Sequence, residues 1–151
     1  MNKLEHLKHI NEDDSKAIIE TWETSVIATH LFLTKDDVES IKPEVLAGAG
    51  FVEHFYVIRD NSNIIRAFLG VHNKKIEMLF VHNDFRSKGL GTKLIEFAIE
   101  KLNVSAVDVN EQNPLAVDFY KNIGFEVFDR SETDDQGRNF PILFMRLKNR
   151  Q

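Results

Sequence analysis

The most informative stretch of this 151-residue chain is Arg86-Ser87-Lys88-Gly89-Leu90-Gly91-Thr92. It follows an apolar run at residues 76–81 and leads into a stretch whose apolar residues recur at helical spacing. Glycine has no Cβ and adopts backbone angles closed to other residues, so successive amides here can turn toward an anion. A helix that starts in the loop adds unpaired N–H groups and the positive end of its dipole. This glycine loop, residues 86–92, therefore predicts a pyrophosphate site, with Arg86 and Lys88 as charged donors.

The loop is a weak signal by itself, because a plain strand-to-helix turn can have the same composition. Two better-known phosphate motifs fit it less well. A nucleoside triphosphate loop needs Gly-Lys followed by Ser or Thr after a longer spacing, and a dinucleotide fingerprint needs a third glycine where this chain has Leu94. Neither triphosphate hydrolysis nor nicotinamide binding in a Rossmann unit is expected.

Composition limits the function further. With 151 residues, 42% of them hydrophobic, the chain is expected to form one domain over residues 1–151. The 19 basic and 24 acidic residues give a net charge of −5, which argues against a general affinity for nucleic acid or for an anionic membrane. There is no cysteine, so a thiol nucleophile is excluded. The start of the chain does not resemble a leader, no apolar run is long enough to span a bilayer, and a cytoplasmic location is expected. The six histidines are scattered, so no metal is predicted.

The N-terminal third predicts a short strand and two helices. Apolar residues between 4 and 10 indicate the strand, and the helices are expected to begin after Asn11 and Thr34, with Asp37 completing a capping box. Pro43 is expected to break or kink the second helix. Residues 48–50, Gly-Ala-Gly, are predicted to form a loop.

The remaining residues predict an antiparallel meander followed by alternating helices and strands. A strand after the glycine-loop helix is expected to lie parallel to residues 76–81, because a helical crossover joins the two. Asn113 is predicted to cap the last helix, with Pro114 in its first turn and Gly124 at its end. The predicted strands cover residues 51–58, 64–71, 75–81, 105–109, 125–128 and 140–147.

The predicted last helix holds a second informative pattern. Its residues at spacings of three and four share one face, so Tyr120 could be a packing residue with its hydroxyl at the rim. Together with the glycine loop, however, the segment resembles the second hallmark of the GNAT superfamily, the GCN5-related N-acetyltransferases, in which NxxAxxFYxxxGF follows RxxGxG. The matching residues are Asn113, Ala116, Phe119, Tyr120, Gly124 and Phe125.

The order of predicted elements is also similar to that family over essentially the whole chain. The resemblance implies a mixed α/β (α+β) fold, with a mostly antiparallel sheet of six to seven strands, helices on both faces and a splayed central pair of parallel strands. Trp22, residues 28–30 and residues 108–113 resemble the bacterial YjaB-like members more specifically.

The resemblance implies that acetyl-CoA lies in the gap between the splayed strands. Leu79, Phe80 and Val81 would meet the pantetheine arm through the strand, together with Asn110, Asn113, Ala116, Phe119 and Tyr120. The amides of Ser87, Lys88, Gly89, Leu90, Gly91 and Thr92, with Arg86, would hold the pyrophosphate.

The resemblance also implies catalytic candidates. Tyr120 would act as general acid toward the leaving sulfur, because a phenol with a pKa of about 10 stays protonated at neutral pH. Glu77, in an apolar strand and expected by alternation to face the same way as Leu79 and Val81, is the candidate base. A glutamate exposed at a strand edge is the alternative.

Three further residues, Trp22, His30 and Phe32, lie where the resemblance implies the acceptor pocket. Core packing is the alternative for Trp22 and Phe32, and a surface or capping role is the alternative for His30.

The expected function is acetyl-CoA-dependent transfer of an acetyl group directly to a primary amine of a small molecule, protein or peptide. A non-catalytic acyl-CoA-binding module of the same fold is the main alternative, and the hydroxyl of Tyr120 favours the enzyme. A phosphate-binding domain unrelated to acyl transfer would leave the pattern at residues 113–125 unexplained. The chain is expected to act as a monomer or homodimer.

Overall fold

A computed structural model describes residues 3–30 and 32–148 of the chain. Within these residues the chain forms one sheet of seven strands, four α-helices and a single 3₁₀ turn at Asn83–Phe85. The strands are β1 (Lys3–His6), β2 (His54–Arg59), β3 (Ile65–His72), β4 (Lys75–Val81), β5 (Ala106–Asn110), β6 (Phe125–Ser131) and β7 (Ile142–Leu147). The helices are α1 (Glu12–Thr29), α2 (Lys35–Phe51), α3 (Leu90–Leu102) and α4 (Pro114–Ile123).

The sheet has the order β1-β2-β3-β4-β5-β7-β6, and every neighbouring pair is antiparallel except β4 and β5. These two parallel strands, which α3 connects, pair only at Lys75 with Ala106 and at Ile76 with Val107. Both strands then continue, to Val81 and Asn110, without further pairing. The predicted mixed fold and parallel central pair are confirmed, and the short pairing leaves a gap between β4 and β5.

Two apolar cores cover the faces of the sheet. On one face α3 and α4 pack against β3, β4 and β5, with Leu94 and Ile95 fully buried. On the other face α1 and α2 pack against β2 and β3, with Ile18 and Trp22 buried. The gap between β4 and β5 therefore lies between two packed helical layers.

Helix α2 differs from the sequence-based prediction. It continues through Pro43 and through residues 48–50, so a break at Pro43 and the predicted loop are both wrong, and β2 begins at His54. Gly48 allows close packing instead, because a Cβ there would lie only 3.3 Å from Cε of Met78. The capping box is confirmed, since the Thr34 hydroxyl accepts from the amide of Asp37, whose carboxylate accepts from the amide of Thr34.

Strand β4 contains a bulge at Glu77. Gly70 of β3 pairs with Met78, while the next residue, Val71, pairs with Ile76, so Glu77 is the extra residue. As a result Ile76 packs into the same core as Leu79 and Val81. The expectation from alternation that Glu77 shares the face of Leu79 and Val81 is therefore wrong.

The caps of the other helices follow the predictions. The side chain of Asn11 accepts from the amide of Asp14 at the start of α1, and Asn113 caps α4 ahead of Pro114. Gly124 ends α4 with a φ of 128°, a conformation that favours glycine. Strand β6 extends to Ser131, further than predicted, β7 begins at Ile142, and β1 ends at His6. None of the helices in the described part of the chain combines the length and apolar character of a membrane span.

Candidate functional site

A cavity of about 420 Å³ occupies the gap between β4 and β5. Both strands, the end of α1, the glycine loop and α4 contribute side chains to its wall, which joins the two faces of the sheet. The lining residues are Ser25, Thr29, His30, 76–81, Arg86, Gly91, 107–110, Asn113, Leu115, Ala116, Phe119 and Tyr120. The cavity thus brings both sequence patterns into one site.

The glycine loop presents free amides at one end of this cavity. Ser87 and Gly89 adopt positive φ angles of 62° and 80°, which turn the chain into α3. Gly89 is the N-cap of α3 and makes no side-chain cap hydrogen bond, so the first N–H groups of the helix have no intrahelical acceptor. The side chain of Leu90 is buried in the core, which leaves only its amide for a ligand. Amides at a helix N-terminus suit a phosphate group.

Gly91, on the first turn of α3, could be replaced by alanine without a clash. A Cβ at this position would meet the Phe119 ring at 3.7 Å and Val81 at 3.8 Å, both ordinary contact distances. Its φ is also outside the left-handed range, unlike that of Gly89. The protein itself therefore does not require glycine at position 91, and the absence of a side chain there leaves the amides of the first helical turn accessible to a pyrophosphate.

Cationic side chains surround the loop. Lys88 places its Nζ 5.4 Å from the centroid of the Phe85 ring, and the guanidinium of Arg66 lies 4.9 Å from the same centroid. Arg66 is neutralised by Asp60, at 2.8 Å, whereas Arg86 lines the cavity and has no ion pair among the described residues. Arg86 is thus available to an anion in the cavity.

Tyr120 lies in the wall formed by α4. Its ring is buried and meets the rings of Phe119 and Phe125 edge to face, at centroid distances of 5.2 and 5.7 Å. Burial raises the pKa of Tyr120 well above its usual value of 10.0, so the phenol is an O–H donor at neutral pH. The hydroxyl has no hydrogen-bond partner in residues 3–30 and 32–148, and it can donate to a group in the cavity.

His30, the C-cap residue of α1, closes another side of the cavity. Its Nδ1 lies 2.8 Å from the hydroxyl of Thr29, and its Nε2 lies 3.2 Å from Nδ2 of Asn113. Its ring also contacts Phe32, at a centroid distance of 5.4 Å. Burial lowers the pKa of His30 to about 4, so the imidazole is neutral at pH 7.

This lowered pKa predicts a loss of stability in acid. An unfolded chain takes up a proton on His30 near pH 6.5, whereas the folded chain resists it until about pH 4. The contribution is therefore complete above pH 6.5 and declines toward pH 4, by about 3 kcal/mol at most. Urea unfolding of the wild type and of His30→Gln across this range measures it. The free energy of unfolding of the wild type minus that of the variant should decrease as the pH is lowered from 6.5 to about 4. Carboxylates titrate in both proteins, so their contribution cancels in this difference. A difference that stays constant over the range would contradict the prediction.

Two carboxylates line the cavity near the point where β4 and β5 still pair. Glu77 is exposed, with 39% of its side chain accessible, and lies 3.7 Å from Nζ of Lys75. Asp108 of β5 accepts a hydrogen bond from the same Nζ at 2.8 Å. Glu77 thus lines the cavity, and its exposure agrees with the alternative of an exposed glutamate on the strand.

Several other predicted site residues do not line the cavity. Trp22 is only 3% exposed and packs in the core between α1 and the sheet, so the core alternative holds for it and the acceptor-pocket position does not. Phe32 contacts His30 and the ring of Phe140 without lining the cavity. Ser87, Lys88, Gly89, Leu90 and Thr92 are in the loop outside the lining, where only backbone groups were expected to act.

Sequence reasoning missed three polar residues of the lining: Asp108, Ser25 and Thr29. A signal existed for each. Asp108 is a charge between the apolar residues Val107 and Val109, and Ser25 and Thr29 are small polar residues four apart on α1.

Comparison with known proteins identifies the relatives of this chain. A family model described as an acetyltransferase (GNAT) domain matches residues 13–148. The chain is 31% identical over 141 residues to the peptidyl-lysine N-acetyltransferase YjaB of Salmonella typhimurium, and the match covers 91% of this chain and 94% of that protein.

Solved structures have the same architecture. The solution structure of the apo form of YjaB from Escherichia coli superposes with a TM-score of 0.84 and 29% identity, covering 97% of each chain. The PaiA N-acetyltransferase of Thermoplasma acidophilum, crystallised in complex with coenzyme A, superposes with a TM-score of 0.62 over 97% of this chain and 99% of that one. Its 18% identity supports the common fold alone.

Proposed function

Because the chain belongs to the acetyltransferase (GNAT) domain family, we propose that it transfers an acetyl group directly from acetyl-CoA to the side-chain amine of a lysine in a protein or peptide. Enzymes of this family are N-acetyltransferases that use acetyl-CoA. The lysine acceptor is supported by the relative at 31% identity, which is named a peptidyl-lysine N-acetyltransferase. The structural feature that best supports this proposal is the cavity between β4 and β5, which has free amides at one end and Tyr120 in its wall.

The residues around the cavity have chemical groups that could bind coenzyme A. The amides of residues 87–92 and Arg86 would hold the pyrophosphate. The part of β4 that does not pair with β5, at Leu79, Phe80 and Val81, could offer backbone groups to an amide-containing arm. Asn110, Asn113, Ala116 and Phe119 would complete its surroundings. When bound, acetyl-CoA supplies an acetyl group already activated as a thioester.

Tyr120 is proposed as the hydrogen donor to the departing sulfur. The chain has no cysteine, so no thiol of the protein can carry the acetyl group, and in the proposed direct transfer the amine nitrogen forms the new bond as the carbon–sulfur bond breaks. Because burial raises its pKa, the Tyr120 hydroxyl stays protonated and would donate a hydrogen bond to the charge that develops on the sulfur. The nitrogen would lose its second proton as the amide forms, and that proton would pass to the thiolate, so that coenzyme A leaves as a thiol.

Glu77 is proposed as the group that accepts the proton of the ammonium, directly or through water. Its position in the cavity lining, at the bulge of β4, supports this role, and its partial exposure favours the route through water. Asp108 is held by a shorter contact to Lys75 and is less available.

Glu77→Gln should therefore lower kcat/KM by at least roughly tenfold. A general base works only when deprotonated, so the acidic limb of the pH profile should also move or disappear. Asp108→Asn is the matched control, since it removes a lining carboxylate bound to the same lysine. An unchanged profile in Glu77→Gln together with a changed one in Asp108→Asn would assign the base to Asp108.

The acceptor proposal is tested with peptides and small amines in the presence of acetyl-CoA. A lysine peptide with a blocked N-terminus should gain one acetyl group by mass, whereas the same peptide with arginine in place of lysine should gain none. Transfer only to a polyamine, or only to a free N-terminus, would contradict the lysine assignment. Binding of CoA without transfer to any amine would favour a non-catalytic acyl-CoA-binding module.

A further inference from the structure

The two faces of the sheet are connected through the gap between β4 and β5. Helix α1 packs on one face and α4 on the other, yet the residue that caps the end of α1 contacts the residue that caps the start of α4. These residues are His30 and Asn113, joined by the 3.2 Å contact between Nε2 and Nδ2. The contact crosses the cavity wall beside the proposed coenzyme site.

The hydrogen bonds around His30 determine its tautomer. The Thr29 hydroxyl donates its single proton to the carbonyl of Ser25, at 2.7 Å, so it can only accept from His30. Nδ1 must therefore carry the imidazole proton. Nε2 is left with a lone pair, and it accepts a hydrogen bond from the side-chain NH₂ group of Asn113.

This tautomer in turn fixes the orientation of the Asn113 amide. With NH₂ toward His30, Oδ1 points toward the start of α4, where it accepts from the amide of Ala116 at 3.4 Å. A flipped amide would place Oδ1 against the Nε2 lone pair and NH₂ against the Ala116 N–H, so both bonds would be lost. Asn113 is 6% exposed, so water offers little replacement.

We propose that His30 is a positioning residue of the acetyl-CoA site: it holds the Asn113 amide in the orientation that caps α4 and so fixes the wall that carries Phe119 and Tyr120. This inference rests on the proposed function, because the wall matters only if coenzyme A occupies the cavity. His30 itself transfers no proton, since its lone pair is already bound to Asn113.

Two substitutions of His30 separate this role from simple packing. Glutamine can place an amide oxygen near the position of Nε2 and accept from Asn113, whereas asparagine reaches only the position of Nδ1 and Thr29. Calorimetric titration with CoA should give a Kd within about twofold of the wild type for His30→Gln and a Kd raised roughly five- to tenfold for His30→Asn. Equal affinity of both variants, whether unchanged or equally weakened, would overturn the proposal.

The tautomer is also measurable in the unaltered protein. The ring nitrogens of His30 should show a protonated Nδ1 and an unprotonated Nε2 in ¹⁵N NMR at pH 7, and Asn113→Ala should shift the Nε2 resonance most. A protonated Nε2 would overturn the proposal even if the variants do not fold. Failure of the wild type to bind CoA would instead refute the proposed function, and the NMR result would still decide whether His30 orients Asn113.

Discussion

Replacing Tyr120 with phenylalanine should lower kcat roughly 100-fold or more while leaving the Kd for CoA within about twofold of the wild type. The change removes one hydroxyl from a ring held by Phe119 and Phe125, so the shape of the wall is preserved. No hydrogen bond within the described residues is lost, and the free energy of unfolding should stay within about 0.5 kcal/mol. Single-turnover acetyl transfer and a separate CoA titration measure the two effects.

The chain offers a matched control, because its other tyrosine, Tyr56, can undergo the same change. Tyr56 stacks on His6 at 4.7 Å and contacts Phe97 at 4.6 Å, away from the cavity. Tyr56→Phe should leave kcat unaltered. If Tyr120→Phe turns over as fast as Tyr56→Phe, the sulfur leaves without a hydrogen bond from Tyr120. If it loses CoA affinity instead, Tyr120 is a binding residue.

Features set by short-range physics could be predicted from the sequence. The caps at Asn11, Thr34 and Asn113 each depend on a side chain and an amide three residues away, and all three form. The two motifs of the site could also be recognised in the sequence, because the glycine loop and the pattern at 113–125 are each a continuous segment. Their convergence required the parallel pairing of β4 and β5, which the crossover at α3 imposes.

What the sequence could not show depends on contacts between distant segments. The glycines at 48 and 50 favour a loop locally, but the helix continues there, with Gly48 packed closely on Met78 of β4. The bulge at Glu77 depends on the register with Gly70 and Val71, so simple alternation gave the wrong face. His30 and Asn113 are 83 residues apart, and nothing in the sequence around either residue indicates that the two are in contact.

The second large effect concerns Gly91, where stability and binding should change in opposite directions. Gly91→Ala adds a methyl group at ordinary distances from Phe119 and Val81 and improves helix propensity, so the protein should become more stable, by up to about 1 kcal/mol. The same methyl group would occupy the space beside the free amides of α3. The Kd for CoA should therefore rise at least about tenfold. Urea unfolding without ligand and calorimetric titration measure the two quantities on the same sample.

Gly89→Ala provides the contrast, because glycine serves the backbone there. With a φ of 80° and no atom within 4 Å of an added Cβ, alanine at this position should cost stability through backbone strain alone, about 1 kcal/mol. A loss of CoA affinity in Gly89→Ala would thus accompany a loss of stability, whereas in Gly91→Ala it would accompany a gain. Unchanged CoA affinity in Gly91→Ala would mean that the pyrophosphate does not lie on the first turn of α3. The anion would then have to be held by the side chain of Arg86 and the amides before Gly89.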